Sequence, residues 1–403
     1  MTRALHNKEI VLGVSGGIAA YKAIELLRLI ARAGGAVRVI MTRNAQWFVG
    51  PMTFEALSGR PVLSDLFERS GGDAAIRHID WAQAADAVVL APATGNLIGK
   101  FANGIADDAL TTLLMAVTCP VLVCPAMNTH MYESRPVQRN IERLRSDGHL
   151  IVAPGSGEMA CGTVGPGRLA EPPDILDALE TALTPRDFIG KRILVTAGPT
   201  REHLDPVRFL SNPSTGKMGY AVAKAAARRG GEATLVSGPV KLTAPAGVRT
   251  IRVTSALEMA EAVFDRMAET DIVIKTAAVA DYRPRDRADR KVKKEDHDAH
   301  KQVAFEKNPD ILEILGERKD RQILIGFAAE TENLAAHAVE KMARKNLDMI
   351  VGNIVGGADA GFGSDTNRAT FFYRNGDSES PPLMEKSDLA HLLLDRIKER
   401  LLP

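Results

Sequence analysis

Short apolar runs, many of them rich in β-branched residues, recur along the chain. Glycine or proline closes most of them, and a stretch with apolar residues three or four apart follows. Glu9 to Gly13 is the first run, and Val37 to Thr42, Ala87 to Leu90, Val121 to Cys124 and Leu150 to Ala153 come after it. Between the first two, Ala20, Ile24, Leu27 and Ala31 share one helical face, and Gly34-Gly35 end the helix. A helical stretch from Pro173 to Leu183 then leads into the polar link Thr184-Pro185-Arg186, and the alternation starts again. Arg192 to Thr196, Ala233 to Val236, Arg249 to Val253, Asp271 to Ala280, Gln322 to Ala328, Met349 to Val351 and Ala369 to Arg374 read as strands. Ala221 to Arg229, Ser255 to Glu269, Asn333 to Asn346 and Lys386 to Leu401 read as helices. Strands apolar on both faces, alternating with helices, predict a mostly parallel sheet covered on each side. The pattern therefore predicts two doubly wound α/β domains, residues 1–184 and 190–403.

Ligands of such sheets sit beyond the carboxyl ends of the strands. In the first half those positions are Ser15-Gly16-Gly17, Thr42-Arg43-Asn44, Ala91 to Asn96, Pro125-Ala126-Met127-Asn128 and Pro154 to Gly157. Small residues, hydroxyls and amides dominate them, which suits one phosphate and a planar heterocycle held by backbone donors. The first turn, Gly13-Val14-Ser15-Gly16-Gly17, lacks the spacing of a dinucleotide fingerprint, so a mononucleotide such as FMN fits better than NAD. In the second half a strand, a long polar loop and Ser214-Thr215-Gly216-Lys217 precede an alanine-rich helix. A glycine loop, a helix N-terminus and a lysine make an anion cradle. Farther on, Ala277 to Pro284 follows a strand, and a charge-dense run, Arg285 to Lys301, contains Lys291-Val292-Lys293-Lys294. Charge runs are commonly solvated loops. This one lies between two core strands, where a loop of such length suggests a lid whose lysines clamp a triphosphate.

Composition narrows the classes of partner. A net charge of +1 over 403 residues gives no reason to expect nucleic acid or a membrane surface. No run is long enough to span a bilayer. Three cysteines, Cys119, Cys124 and Cys161, form no disulfide framework and point to a reducing cytoplasm. Cys119 and Cys124 flank a buried-type strand and read as packing. Cys161 lies between Ser156 and Arg168, a stretch so rich in small residues that it predicts a mobile flap delivering a thiol. His78 alone reads as a surface or helix-start histidine, and Asn128 alone as a helix cap.

Taken together, Gly13 to Lys22, His78, Ala91 to Asn96, Pro125 to Asn128 with Met131-Tyr132, and Ala160-Cys161-Gly162 through Arg168 resemble the FMN-dependent cysteine decarboxylases of coenzyme A synthesis. That resemblance implies a flavodoxin- or Rossmann-like domain that converts 4′-phosphopantothenoylcysteine to 4′-phosphopantetheine by oxidative decarboxylation. It implies His78 on the oxidising side, Asn128 at the substrate carboxylate and Cys161 as proton donor. The FMN contacts it implies are Ser15, Gly16, Gly17, Thr42, Thr94 and Asn96. Asp205 to Asn212 with Ser214 to Gly219, Ala277 to Pro284, the lysine run, Lys307 to Ile311 and Gly326 to Thr331 look like the phosphopantothenate–cysteine ligases, usually fused behind the decarboxylase in bacteria. Here the resemblance implies a Rossmann-like ligase domain that activates 4′-phosphopantothenate with CTP as an acyl-cytidylate, which the L-cysteine amine then attacks. It implies Asn212 and Lys291 as catalytic, and Ala277, Asp281, Lys291, Phe327, Lys341 and Lys345 as CTP contacts, with Asp281 at Mg²⁺. It also implies a large homo-oligomer, with trimers of the flavin domain, flavin sites at subunit contacts and paired ligase domains. Relative to the pattern, Ala109 replaces a bulkier apolar residue, which affects local packing only.

Two rival classes remain open. A flavin-binding regulatory protein needs none of His78, Asn128 and Cys161, and an NAD-dependent dehydrogenase needs the fingerprint that the first turn lacks.

Overall fold

The structure, a computed structural model, describes residues 4–66, 77–158, 162–291, 303–330, 334–354 and 363–402. The chain divides into two compact units, Met1–Thr184 and Pro185–Pro403.

In the first unit five parallel strands stand in the order Ala36–Met41, Glu9–Val14, Ala87–Ala93, Val121–Pro125, Leu150–Ile151. Numbered along the chain this is 2-1-3-4-5, the flavodoxin-like order. Strand Ala87–Ala93 is buried at every position, so the apolar run is continuous because both faces are covered. Helix Ala20–Arg32 buries Ala20, Ala23, Leu26, Leu27 and Ile30. Its inward face is thus rotated from the expected one, and Ala31 is exposed. Ala109 is buried and starts helix Ala109–Leu114, whose capping box pairs Asp108 with Thr111.

The stretch around Cys161 is not the loop its composition suggests. Gly155–Glu158 and Val164–Arg168 pair as an antiparallel hairpin. Residue 165 must be glycine-sized, because a Cβ there would lie 2.7 Å from Thr129 Cγ2. At Gly165 the small residue thus serves close packing against Thr129. Cys161 itself lies outside the described residues.

In the second unit an eight-stranded sheet runs Arg249–Arg252, Glu232–Ser237, Arg192–Ala197, Ile272–Lys275, Ile323–Glu330, Met349–Ile354, Ala369–Tyr373, Ser378–Glu379. The first six are parallel and read 3-2-1-4-5-6 within this unit, the Rossmann order, and the last two are antiparallel. Two sequence expectations change. The polar stretch before Asn212 contains the hairpin Arg201–His203 with Phe209–Ser211, closed around buried Asp205, which accepts from the Val207 and Arg208 amides at 2.8 Å each. The apolar run from Asp271 leaves the sheet after Lys275, because Thr276 to Ala280 is tied to the Thr196–Thr200 stretch instead.

Arg229, 5% exposed, fastens the closing helix Lys386–Arg400 to the start of this unit through Asp187 at 2.6 Å and Asp395 at 2.7 Å. Burial would push the Asp187 carboxyl up, but hydrogen bonds and charge from Arg229 and Lys398 outweigh it and hold it down at about 2. A depressed carboxylate stabilises the fold above its unfolded pKa of about 3.9 and loses that contribution as pH falls toward its folded value. Asp187→Asn is therefore expected to cost about 2 kcal/mol at pH 7 and roughly half of that at pH 3, read by urea unfolding followed by circular dichroism. A deficit unchanged between the two pH values would remove the ion pair as its cause.

Candidate functional site

Each unit has a cavity at the place where its strand order reverses. In the first this is the junction of Glu9–Val14 and Ala87–Ala93, where neighbouring crossovers leave in opposite directions. Ser15 bridges the junction. Its Oγ donates to the Pro92 carbonyl at 2.7 Å and accepts from the Thr94 amide at 3.0 Å. Thr94 in turn caps helix Gly95–Ala102 by accepting from Leu97 N. Gly16 passes so close to Asn44 that a Cβ would sit 2.5 Å from Asn44 Cβ and 2.8 Å from its carbonyl carbon. The turn is thus pressed against the segment after the second strand, and backbone donors from both border one space. That space has a volume of about 1330 Å³, enough for a tricyclic heterocycle with a phosphate and a substrate arm.

Ser15, Gly16, Gly17, Thr42, Thr94, Asn96 and Asn128 all line this cavity. The Thr42 hydroxyl is shielded from solvent and has no partner among the described residues, as expected of a side chain that bonds a ligand. Asn128 is both a cap and a site residue. Its Oδ1 accepts from His130 N at 2.8 Å, while Nδ2 reaches Thr163 Oγ1 on the hairpin at 3.2 Å. Lys22 and Lys100 line the cavity already paired with Glu171 at 2.8 Å and Asp107 at 2.7 Å. The residues therefore fit a flavin mononucleotide: glycine backbone and hydroxyls for the phosphate, and an apolar flank for the ring. His78 lies in the first turn of helix Arg77–Ala84, which Trp81 anchors in the core, and it does not line this cavity. Buried Cys124 is a core residue whose thiol burial pushes well above the ordinary range, as a packing role requires.

The second cavity, about 810 Å³, lies at the junction of Arg192–Ala197 and Ile272–Lys275. Helix Lys217–Arg228 points its N-terminus at it, with Gly216 at φ +77° as N-cap. Gly219 lets this helix touch the sheet, because a Cβ would lie 2.4 Å from Thr276 Oγ1 and 2.5 Å from Ala197 Cβ. Opposite, Ala277 to Asp281 forms a rim laced to both neighbours. The Thr196 hydroxyl accepts from Ala277 N at 3.2 Å, Asn212 Nδ2 donates to the Ala278 and Val279 carbonyls at 3.1 and 3.3 Å, and Asn308 Nδ2 holds Ala280 O at 2.8 Å.

Asn212, Ala277, Asp281, Phe327, Lys341 and Lys345 line this cleft together. Lys291 is exposed and is not among the lining residues, and Lys293 and Lys294 lie outside the described residues. The charge run it begins is rooted in an antiparallel pair, Tyr282–Pro284 with Phe305–Lys307. Lys345 meets the Asp310 carboxylate, which burial would raise but Lys345 holds below its usual range. Lys217 binds Asp365 at 2.6 Å, and Lys386 the Ser364 carbonyl at 2.5 Å. Burial and the charge of Lys217 lower the Lys386 pKa. The amide oxygens of Asn353 and Asn367 are buried at the cleft with no partner among the described residues. Among the described residues no group of three His, Cys, Asp or Glu side chains could hold a metal by itself.

Sequence reasoning missed Lys275, Lys386, Asn353 and Asn367. Lys275 had a signal, since it is the one charge closing the apolar run Ile272-Val273-Ile274. The other three come from separate elements, Asn353 near the end of strand Met349–Ile354, Asn367 in the short strand Thr366–Asn367 and Lys386 at the start of the closing helix, which the tertiary fold brings to the cleft.

Residues 1–184 match the family described as Flavoprotein, and residues 188–401 the DNA/pantothenate metabolism flavoprotein C-terminal domain. The chain is 49% identical over 397 residues to the coenzyme A biosynthesis bifunctional protein CoaBC of Bacillus subtilis (strain 168), covering 98% of this chain and 97% of that protein. It is 46% identical to the protein of that name from Vibrio cholerae, over 99% of this chain and all of the other. Among solved structures it is similar to the C-terminal domain of a coenzyme A biosynthesis bifunctional protein CoaBC, with 44% identity, TM-score 0.47, and coverage of 54% of this chain and 98% of that one.

Proposed function

The chain belongs to the bifunctional coenzyme A biosynthesis proteins that join a flavoprotein decarboxylase to a phosphopantothenate–cysteine ligase, and from that membership we propose how its two cavities divide the reactions. The rear unit links 4′-phosphopantothenate to L-cysteine. The front unit decarboxylates the product to 4′-phosphopantetheine. The observation that carries this division is the pair of switch-point cavities, one where glycines and hydroxyls converge and whose lysines, Lys22 and Lys100, are already paired with carboxylates, the other bordered by six lysines.

In the rear cleft CTP is the activating nucleotide, and an acyl-cytidylate the intermediate. The helix N-terminus at Gly216 and the lysines oppose the charge of a triphosphate, which Mg²⁺, held by Asp281 and the phosphates, reduces further. Asn212 fixes the rim carbonyls of Ala278 and Val279, so the acyl group and the attacking amine meet on a rigid edge. Lys291 serves activation by CTP.

In the front cavity FMN is the cofactor. When bound it supplies a two-electron oxidation of the substrate's cysteinyl carbon–sulfur unit and the reverse reduction. The protein's part is to hold and shield the substrate. Asn128, joined to the hairpin through Thr163, takes the carboxylate that leaves as CO₂, and the hairpin excludes water. Cys161 donates the final proton. His78 lies outside its own chain's cavity, so its role on the oxidising side requires the front units to assemble with flavin sites at contacts between copies. Both reactions take place in the cytoplasm. The described part of the chain has no helix long and apolar enough to cross a membrane.

With 4′-phosphopantothenate, cysteine and CTP, the wild-type protein is expected to release pyrophosphate and form 4′-phosphopantetheine. Cys161→Ser is expected to release pyrophosphate and CO₂ at near-normal rates and to accumulate the oxidised enethiol, detected by mass spectrometry. A normal yield of 4′-phosphopantetheine from that variant would take Cys161 out of the mechanism.

A further inference from the structure

The six lysines bordering the rear cleft are not equivalent. Lys345, Lys217 and Lys386 each already face an anion or carbonyl of the protein, and Lys307 is exposed. Lys275 differs from these. It is the last residue of the central strand Ile272–Lys275, in register with Thr196 on one side and Gly326 on the other, at the point where the strand order reverses. Its ammonium has no hydrogen-bond or ion-pair partner among the described residues. A cation partly withdrawn from water without a counter-ion is unfavourable, and the rest of the cleft does not offset it. The charged groups facing it are Asp281 from the rim, Asp310 from the cap of helix Ile311–Arg318, and Lys341 and Lys345 from the end of helix Leu334–Arg344. Asp310 is already neutralised by Lys345. Asp281 and Lys341 oppose each other, so the charge of Lys275 meets no net counter-charge, and it stands among residues assigned to the nucleotide.

We propose that Lys275 is a phosphate-binding residue of the ligase unit, pairing with a phosphoryl oxygen of a bound substrate. The inference rests on the reading of this cleft as the CTP site. Two substrates of the reaction carry phosphate, and the neighbours Asp281, Lys341 and Lys345 favour the nucleotide over 4′-phosphopantothenate. The ionisation of the group supports the assignment. Burial, with Lys341 and Lys345, pushes the Lys275 pKa down to about 8 against the opposing pull of Asp310 and Asp281. A phosphate at the ammonium reverses that balance, so binding draws a proton onto a lysine that is only part-charged beforehand.

Calorimetric titration of the full-length protein with CTP at pH 8, in two buffers of different ionisation enthalpy, tests this. Wild type is expected to take up about half a proton on binding, since a group with pKa near 8 is half-protonated there. Lys275→Met is expected to bind CTP about 10- to 100-fold more weakly, the loss of one charge-assisted hydrogen bond, and to lose that uptake. Lys275→Arg is expected to recover most of the affinity without the uptake, because arginine is always charged. A structural role would show no such split. The same titrations with 4′-phosphopantothenate separate the two sources, and weakening confined to that ligand would move the contact to its phosphate. Binding of both ligands by Lys275→Met within twofold of wild type overturns the proposal. If wild type bound no CTP, the reading of the cleft would fall, and the 4′-phosphopantothenate titration alone would judge Lys275.

Discussion

Gly219→Ala is expected to reduce CTP-dependent ligation about a hundredfold while leaving the flavin content of the protein unchanged, the order of loss that an ångström of misplacement causes at a reacting centre. The added methyl would lie 2.4 Å from Thr276 Oγ1, 2.5 Å from Ala197 Cβ and 3.0 Å from the Thr196 carbonyl. Two of these atoms belong to the sheet backbone or sit directly on it, and Thr276 Oγ1 is itself committed to Thr196 O at 2.7 Å. None can swing aside as the tip of a long side chain would, so the helix must retreat. Its retreat carries away the backbone amides at Gly216 and Lys217 that face the cleft, and loosens the rim at Ala277. Overpacking of this kind costs about 1–3 kcal/mol, a loss thermal unfolding would register. Pyrophosphate release from CTP and 4′-phosphopantothenate is the direct readout. Ligation within threefold of wild type would show that the contact of helix and sheet at Gly219 does not position the cleft.

That contact also shows what a sequence can and cannot reveal about such a protein. The central strands were legible because they are apolar on both faces, and strand Ala87–Ala93 is buried throughout. The one helix face read from spacing, that of Ala20–Arg32, was right to within one residue of rotation. Elements that depend on pairing with distant residues were not. The hairpins Gly155–Glu158 with Val164–Arg168 and Arg201–His203 with Phe209–Ser211 contain the small and polar residues that ordinarily mark loops, and only their partners make them strands. The strand ending at Lys275 looked longer because Ala277 to Ala280 is apolar, yet those residues line a rim held by Thr196 and Thr200. Site residues followed the same rule. Positions just past strand ends, such as Ser15, Thr94, Ala277 and Asp281, could be read off the alternation of strand and helix. Asn353, just past the run Met349 to Val351, obeyed the same rule and was overlooked, whereas nothing local connects Lys386 and Asn367 to the cleft. His78 was legible as a residue type in a motif, but its distance from its own chain's cavity is a property of three dimensions.

The front unit offers the matching test, with a sharper control. Gly16→Ala is expected to yield a colourless protein that has lost at least nine-tenths of its flavin and its decarboxylation, with CTP-dependent pyrophosphate release intact. The new methyl would stand 2.5 Å from Asn44 Cβ and 2.8 Å from the Asn44 carbonyl carbon, in the short helical turn Arg43–Trp47. Separating the two segments opens the cradle in which Ser15, Thr42 and Thr94 converge, and a phosphate held by backbone amides tolerates little such movement. The sheet is not required to move, because Gly16 lies beyond the end of Glu9–Val14, so circular dichroism of the variant should match wild type. Gly17→Ala supplies the control. A Cβ at Gly17 meets only Thr94 Cγ2, at an ordinary 3.4 Å, so this variant should keep its flavin to within a few fold. The pair therefore separates close approach of one segment to another from the mere presence of glycine. Equal loss of flavin from both variants would mean that ligand contact, not the press of Gly16 on Asn44, sets the geometry of the cradle. Full flavin in Gly16→Ala would remove the turn from the binding site altogether.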